Sequence, residues 1–254
     1  MAELDADYFS NWYAKMETSD KDALWARLLG LPDGLRSTSL LTGPGLDEVA
    51  AWLALDSDDV LLDLACGRGG YGMELVRRSG CRLVGVDFAL SAVEQARAHA
   101  ERLGLGDRVS FELADMTATG LEDGSVTAVL CVDAAQFPQP FGGPVREAAR
   151  VLAPGGRAAF TAWEPVDPDH PGLRERLRTI DFGSALRDAG FDEPEVRDRP
   201  DWLEAEMQAW RRVLEIEVDG DPALLDLQEE AHEVLSRADP VRRVWATGRK
   251  PGRG

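Results

Sequence analysis

A short apolar strand followed by a glycine-rich turn is the part of this 254-residue chain best suited to bind a ligand. The turn spans residues 63–70, DLACGRGG, and the pattern after it predicts a helix. Glycines here let backbone N–H groups approach a ligand, and the N-terminus of the helix favours an anionic group. Asp87 stands twenty residues after Gly67, at the end of the next predicted strand. A carboxylate there can accept both hydrogen bonds of a ribose diol, which predicts a nucleoside-binding site.

Two kinds of nucleoside cofactor are compatible with this turn. Gly67, Gly69 and Gly72 formally match the G-x-G-x-x-G pattern of dinucleotide-binding sites. Asp63 argues against a dinucleotide, because a carboxylate beside the turn would repel a pyrophosphate. The same charge suits a ligand that carries an ammonium group and a sulfonium.

From residue 60 onward the sequence alternates between apolar strands and helices. The strands are predicted at residues 60–64, 82–87, 109–113, 126–132 and 157–163. Strands that are apolar on both faces and alternate with helices predict a parallel sheet covered on both sides. Because ligands of such sheets bind beyond the carboxyl ends of the strands, the residues directly after each strand are the candidates for the site.

Four motifs, in this order, resemble those of the class I S-adenosylmethionine-dependent methyltransferases. They are residues 63–69, Asp87, residues 114–116 (ADM) and residues 150–157 (RVLAPGGR). The resemblance is closest over residues 60–163. It implies an α/β, Rossmann-like fold with a mostly parallel seven-stranded sheet, helices on both faces and a helical cap or lid.

The resemblance also implies a division of the chain into four parts. We expect an N-terminal helical lid at residues 1–50 and a cofactor-binding core at residues 51–200. A helical cap insertion at residues 201–240 and the final strand and tail at residues 241–254 would follow.

S-adenosylmethionine is the cofactor that the resemblance implies, with S-adenosylhomocysteine as its product. The backbone at Ala65, Gly67 and Gly69 would cradle the methionine part. Asp63 would meet the ammonium group, and Asp87 would hold the ribose. The other expected cofactor contacts come from the adenine pocket and from an aromatic lid: Asp115, Met116, Phe88, Tyr8, Trp12 and Tyr13.

Residues after the fourth and fifth strands, together with the cap, are expected to bind the methyl acceptor. Asp133 and His170 are the candidates for a general base. No group of carboxylates and histidines has convincing metal-ligand spacing, so no metal is expected. The residues expected to contact the acceptor are Gln136, Phe137, Trp163, Trp202 and Trp210.

The charge composition of the chain argues against some classes of binding partner. The chain has 28 Lys and Arg against 46 Asp and Glu, a net charge of −18, and a field of this sign repels nucleic acids and anionic membranes. No apolar run approaches the ~20 residues needed to cross a bilayer. Three widely spaced cysteines are typical of a reducing compartment. We therefore expect a cytoplasmic protein that acts on a small molecule, and a homodimer is the one assembly considered for it.

Transfer of a methyl group to an oxygen or nitrogen of a small acceptor is the favoured function. The excess of Arg over Lys and the abundance of Ala are typical of high-GC bacteria and their enzymes of secondary metabolism and antibiotic biosynthesis. Three alternatives stay open: an S-adenosylmethionine-binding cyclase without methyl transfer, a nicotinamide-dependent oxidoreductase, and a non-enzymatic module with a vestigial pocket.

Replacing Asp87 with alanine tests the assignment of the ribose. The variant should lose two hydrogen bonds to a charged acceptor, at roughly 1.5–3 kcal/mol each, so that cofactor binding weakens about a hundredfold or more. Isothermal titration calorimetry with S-adenosylmethionine measures this change. An unchanged affinity would refute the assignment.

Overall fold

One seven-stranded sheet organises the part of the chain that the computed structural model describes, residues 5–17, 21–236 and 240–252. The strands are β1 (Val60–Leu64), β2 (Arg82–Asp87), β3 (Val109–Leu113), β4 (Val126–Val132), β5 (Leu152–Pro165), β6 (Asp192–Asp198) and β7 (Val241–Arg249). Their order is β3-β2-β1-β4-β5-β7-β6. β7 runs antiparallel to both of its neighbours, and the other pairs are parallel. The predicted α/β fold with a mostly parallel seven-stranded sheet is confirmed.

Helices cover both faces of the sheet. They are α1 (Ala6–Lys15), α2 (Lys21–Leu29), α3 (Gly43–Leu53), α4 (Gly70–Ser79), α5 (Leu90–Arg102), α6 (Gly143–Val151), α7 (Phe182–Asp188), α8 (Pro200–Val213) and α9 (Pro222–Ser236), with a 3₁₀ turn at Glu175–Leu177. The apolar faces of α2 to α5, α8 and α9 pack on one side of the sheet. Those of α6 and α7 pack on the other side. No helix among the described residues is both long and apolar enough to span a membrane.

The central strand β1 shows how the sequence produces two cores. Side chains alternate between the two faces of a strand. Leu61 accordingly packs with the first set of helices, whereas Leu62 and Leu64 pack with the second. All three are fully buried, as expected for a strand that is apolar throughout.

The predicted start of the fifth strand is wrong. β5 begins at Leu152, which pairs with Val126, and not at Arg157. Its register then shifts, so that Ala128 pairs with Arg157. Residues 154–156, Pro-Gly-Gly, lie within this irregular part of the strand. From the sequence alone they indicate a break between a helix and a strand.

The two long helices α8 and α9 lie between β6 and β7 along the chain, within the range expected for the cap. The division into lid, core, cap and final strand stays a prediction. Residues 1–4, 18–20, 237–239 and 253–254 of those ranges lie outside the described residues.

Removing the side chain of Leu62 should destabilise the protein more than removing an exposed leucine. Leu62 is fully buried in the second core, so Leu62→Ala should lower the free energy of unfolding by about 2–5 kcal/mol. Leu225→Ala, at a position on α9 that is 49% exposed, should change it by no more than about 0.5 kcal/mol. Urea denaturation measures both values, and equal losses in the two variants would contradict the core assignment.

Candidate functional site

The turn between β1 and α4 adopts a backbone conformation that glycine tolerates best. Ala65, Gly67 and Gly69 all have positive φ angles, of 54°, 53° and 76°. A Cβ on Gly67 would lie 2.7 Å from the hydroxyl of Tyr13, and a Cβ on Gly69 would lie 2.7 Å from Cζ of Phe111. This turn, called the glycine cradle below, therefore packs so closely against Tyr13 and Phe111 that both space and backbone strain exclude a side chain at these two glycines.

Asp87 joins the end of β2 to this turn. Its Oδ2 accepts a hydrogen bond from the Gly67 N–H at 2.8 Å, and its Oδ1 accepts one from the Ala89 N–H at 2.9 Å. Burial raises the pKa of Asp87, while these backbone donors act in the opposite direction. Because β1 and β2 are parallel neighbours, their carboxyl ends meet, and the carboxylate lies directly beside the cradle.

Asp63 places a second carboxyl next to the first turn of α4. Burial, together with the charge of Asp87, raises the pKa of Asp63 to about 7, although the backbone at Gly72 donates a hydrogen bond to it. A Cβ on Gly72 would lie 2.6 Å from Oδ2 of Asp63, so glycine permits this close approach. A cationic group near Asp63 would favour its ionised form.

The residues expected around adenine lie at the carboxyl ends of β2 and β3. Phe88 is half-buried, and its ring centroid is 5.5 Å from that of Phe9. Asp115 is exposed, and its Oδ1 accepts hydrogen bonds from the N–H and the hydroxyl of Thr117, both at 2.7 Å. Met116 packs partly buried against the second core. The structure brings these side chains to one edge of the sheet, and their contacts with a cofactor stay predictions.

Tyr13, which is expected in the aromatic lid together with Tyr8 and Trp12, is the α1 aromatic residue whose hydroxyl lies against Gly67. Of the other two aromatic residues of the expected lid, Tyr8 is 41% exposed. The ring of Trp12 lies 4.7 Å from the ammonium group of Lys21. The roles expected for Tyr8 and Trp12 stay predictions.

Helical spacing distinguishes Tyr13 from Tyr8 and Trp12. Phe9, Tyr13 and Met16 stand at i, i+4 and i+7, which places them on one face of a helix. In the structure all three join a small apolar cluster against the first turn of α5. The sequence does not reveal, however, that this face of α1 packs on the glycine turn.

On the acceptor side, Asp133 has both carboxylate oxygens engaged. It follows β4 with a φ of 58°. Its Oδ1 accepts a hydrogen bond from the hydroxyl of Thr161 at 2.7 Å and lies 2.9 Å from Nη1 of Arg243. Its Oδ2 accepts a hydrogen bond from the Leu40 N–H at 2.8 Å. This arrangement fixes the carboxylate, and proton transfer by Asp133 stays a prediction.

Arg243 extends this buried polar network to α8. Its guanidinium is fully buried and lies 4.2 Å from the ring centroid of Trp163. Nε of Arg243 is 3.7 Å from Oε2 of Glu206, which also accepts a hydrogen bond from the indole N–H of Trp163 at 3.1 Å. Burial raises the pKa of Glu206 from its ordinary value of 4.5 to about 7, although the charge of Arg243 opposes the shift.

Arg243 and Glu206 were not among the residues predicted from the sequence. Arg243 is the third residue of the antiparallel strand β7 and pairs with Trp163, so it lies at the same edge of the sheet as the carboxyl ends of β4 and β5. A charged residue in an apolar strand was the available signal, but its partner on a distant helix could be identified only from the structure.

The other residues proposed near the acceptor are in different environments. Gln136 is buried and donates a hydrogen bond from its side chain to the backbone carbonyl of Asp133 at 2.8 Å. Phe137 is exposed beneath the guanidinium of Arg176, 5.6 Å from the ring centroid. His170 is exposed in the loop after β5. Their roles in binding or catalysis stay predictions.

Trp202 and Trp210 pack inside the first core. The ring centroid of Trp202 is 6.1 Å from that of Trp245, and the guanidinium of Arg199 lies 3.9 Å from the Trp202 ring. Trp210 meets Trp25 edge to face at 5.0 Å. Both indoles are buried and fix α8 against α2 and β7. A contact of either indole with an acceptor stays a prediction.

Comparison with known proteins relates the strand-turn-helix region to methyltransferases. A family model described as a methyltransferase domain matches residues 61–156. The sterol 24-C-methyltransferase of Eremothecium gossypii is 32% identical over 135 residues, which are 52% of this chain and 36% of that protein. The 27-O-demethylrifamycin SV methyltransferase of Amycolatopsis mediterranei is 30% identical over 178 residues, 63% of this chain and 65% of that protein. The chain thus matches between about a third and two-thirds of the length of these relatives.

The fold is similar over nearly the whole chain to a solved structure. The crystal structure of the cyclase SpnF superimposes with a TM-score of 0.73 at 20% sequence identity, covering 98% of this chain and 97% of that one. At this identity the similarity concerns the fold alone. The glycine cradle and its two carboxyls lie within or next to the residues that match the methyltransferase domain, and the chain is similar in sequence and fold to the class I S-adenosylmethionine-dependent methyltransferases.

Proposed function

We propose that this protein transfers a methyl group from S-adenosylmethionine to a small-molecule acceptor. The observation that carries the proposal is the cradle at Gly67 and Gly69 with the carboxylate of Asp87 hydrogen-bonded to its backbone. Glycine at both positions permits the left-handed turn and its close packing against Tyr13 and Phe111, which leaves the backbone N–H groups of the turn without neighbouring side chains of their own. The neighbouring carboxyl of Asp63 suits a cationic ligand, whereas it would repel a pyrophosphate.

The residues of the cradle fit the cofactor that the family uses. Asp87 would hold the ribose, the turn from Ala65 to Gly69 the methionine part, and Asp63 its ammonium group. When bound, the cofactor supplies an electrophilic methyl group on a sulfonium. The work of the chain is to hold the acceptor in line, and alignment of this kind can contribute about 7–11 kcal/mol to lowering a barrier.

The acceptor would lie between the carboxyl ends of β4 and β5 and the helix α8. Trp163 would supply an apolar wall there, and Asp133, Gln136 and Glu206 would supply polar groups. Oxygen is the acceptor atom that we favour, since a rifamycin O-methylation appears in the name of one relative. Carbon is the alternative indicated by the name of the other relative. The expected lid (residues 1–50) and cap (residues 201–240) would cover this edge of the sheet.

A cyclase that binds S-adenosylmethionine without methyl transfer is the second candidate. The overall similarity to SpnF favours it. The two candidates differ in one product, because only methyl transfer releases S-adenosylhomocysteine.

Cofactor binding should raise the melting temperature of the wild-type protein. At a concentration about 100 times its dissociation constant, S-adenosylhomocysteine should stabilise the fold by about 2.7 kcal/mol, or roughly 5–10 °C for a domain of this size. NADPH at the same concentration is the control and should give no shift. Differential scanning fluorimetry measures both, and a rise with NADPH but not with S-adenosylhomocysteine would overturn the assignment.

The pH dependence of stability should reveal the proton on Glu206. The pKa of Glu206 is about 7 in the folded protein and has its ordinary value of 4.5 in the unfolded chain. Between these two pH values the folded protein therefore holds a proton that the unfolded chain has released. The resulting stabilisation is present at low pH and is lost as the pH rises through 7. Between pH 5 and pH 8 the free energy of unfolding of the wild type should therefore fall by on the order of 2 kcal/mol relative to that of Glu206→Gln.

Urea denaturation at the two pH values measures this difference. Glu204→Gln, at an exposed position two residues earlier on α8, is the matched control, and its stability should change with pH as that of the wild type does. A Glu206→Gln variant whose stability also follows the wild type at both pH values would show that Glu206 is ionised throughout.

A further inference from the structure

A fully buried guanidinium lies at the edge of the sheet where β4 and β5 end. It belongs to Arg243, which pairs with Trp163 across β7 and β5. Nε, Nη1 and Nη2 of Arg243 all lack a hydrogen-bond partner within residues 5–17, 21–236 and 240–252. Nη1 lies 2.9 Å from Oδ1 of Asp133, an ion pair without the geometry of a hydrogen bond. No other buried side chain in those ranges has three nitrogens without an acceptor.

The N–H groups of Arg243 need acceptors that the described residues do not supply. A buried donor without a partner is strongly destabilising, and more so when the group is charged. Such groups in a folded protein are satisfied by bound water or mark a functional site. The ring of Trp163 covers a face of the guanidinium at 4.2 Å. Because the N–H groups point outward in the plane of the guanidinium, this stacking does not occupy them.

Gln136 adds an acceptor of the same kind beside Asp133. Its side chain is buried, and its Nε2 donates to the backbone carbonyl of Asp133 at 2.8 Å. The Oε1 of Gln136 is buried and accepts no hydrogen bond from the part of the chain that the structure describes. Arg243 and Gln136 therefore hold several donors and one acceptor next to a single residue at the end of β4.

The charges around Arg243 limit the kind of group that these atoms can bind. The carboxylate of Asp133 balances the guanidinium, and Oε2 of Glu206 is 3.7 Å from its Nε. One positive charge thus faces one negative charge, or two when Glu206 is ionised. Because no positive charge is left over, an anionic ligand such as a carboxylate would be repelled. A neutral group with oxygen acceptors fits the donors.

We propose that Arg243 and Gln136 bind an adjacent carbonyl and hydroxyl of the methyl acceptor, which is then a neutral hydroxy ketone. We call these two residues the oxygen subsite. This inference rests on the proposed function, because the oxygen subsite lies at the edge of the sheet where we place the acceptor. The two lone pairs of a carbonyl oxygen can accept from the edge of Arg243, and a hydroxyl can donate to Oε1 of Gln136.

Two ligands that differ in one group test the oxygen subsite. α-Hydroxyacetophenone has a carbonyl next to its hydroxyl, whereas β-methylphenethyl alcohol has a methyl-bearing carbon in place of that carbonyl. The wild-type protein, saturated with S-adenosylhomocysteine, should bind the hydroxy ketone about tenfold more tightly than the alcohol, since only the ketone can accept from a charged donor. Isothermal titration calorimetry on the full chain measures both affinities.

Replacing Arg243 with lysine should abolish this preference. Arg243→Lys keeps the positive charge of the buried ion pair and removes the planar set of donors, so the alcohol should bind as before. Arg199→Lys is the matched control, because that guanidinium also stacks on an indole, the Trp202 ring at 3.9 Å. The N–H groups of Arg199 already donate to Glu48 and Asp201. The control should therefore keep the preference of the wild type.

Gln136→Leu is the second variant, which tests the subsite if Arg243→Lys folds poorly. It removes the acceptor for the hydroxyl, so it should weaken the binding of α-hydroxyacetophenone about two- to tenfold. The affinity for acetophenone, which has no hydroxyl, should not change. Equal weakening of these two ligands would contradict the role of Gln136.

The other outcomes separate the oxygen subsite from the proposed function. A wild type that binds the hydroxy ketone and the alcohol equally, or binds neither, would overturn the subsite, and water alone would then satisfy the buried donors. A folded Arg243→Lys variant that keeps the preference would overturn it as well. Equal weakening of both ligands in that variant would show a purely structural role for Arg243. Failure of the wild type to bind S-adenosylhomocysteine would instead contradict the proposed function.

Discussion

The hydrogen bond from the Gly67 N–H to the carboxylate of Asp87 connects the ends of two neighbouring strands across a left-handed turn. It exists because β1 and β2 are parallel and end at the same edge, and because the turn carries no side chain at Gly67. Other groups of the candidate site lie close to this contact. The hydroxyl of Tyr13 lies against Gly67, and the carboxyl of Asp63 lies against Gly72 in the first turn of α4.

A second constraint comes from burying charge. Asp133, Arg243 and Glu206 lie within the protein, where an isolated charge would be strongly destabilising. Their mutual contacts reduce that cost and at the same time join β4, β7 and α8. Removing one member of a buried ion pair leaves the other without a partner, so this network resists change for electrostatic reasons. The position of α8 over the sheet is thus tied to polar contacts as well as to the packing of Trp202 and Trp210.

The sequence predicted the sheet because its strands are apolar on both faces and stop at glycines or acids. The glycine turn and Asp87 were found for the same reason, since their function depends on local backbone geometry and on spacing along the chain. Glu206, Arg243 and the contact between Tyr13 and Gly67 could not be found in this way. Each acquires its environment from an element far away in sequence, and side-chain type alone does not show which face of a helix meets the site. Trp202 and Trp210 were selected for the opposite reason, by residue type alone, because abundant tryptophan is typical of an apolar pocket. In the structure both side chains pack in the first core.

The placement of β7 between β5 and β6 has a consequence for biosynthesis. β7 is translated after both of its partners, so each of them presents an unpaired backbone edge until residues 241–249 leave the ribosome. Unpaired edges are templates for pairing with other chains. During this interval β5 is the open edge of a sheet that is otherwise paired as far as β3, and β6 has no partner strand, so both are exposed to pairing with other chains.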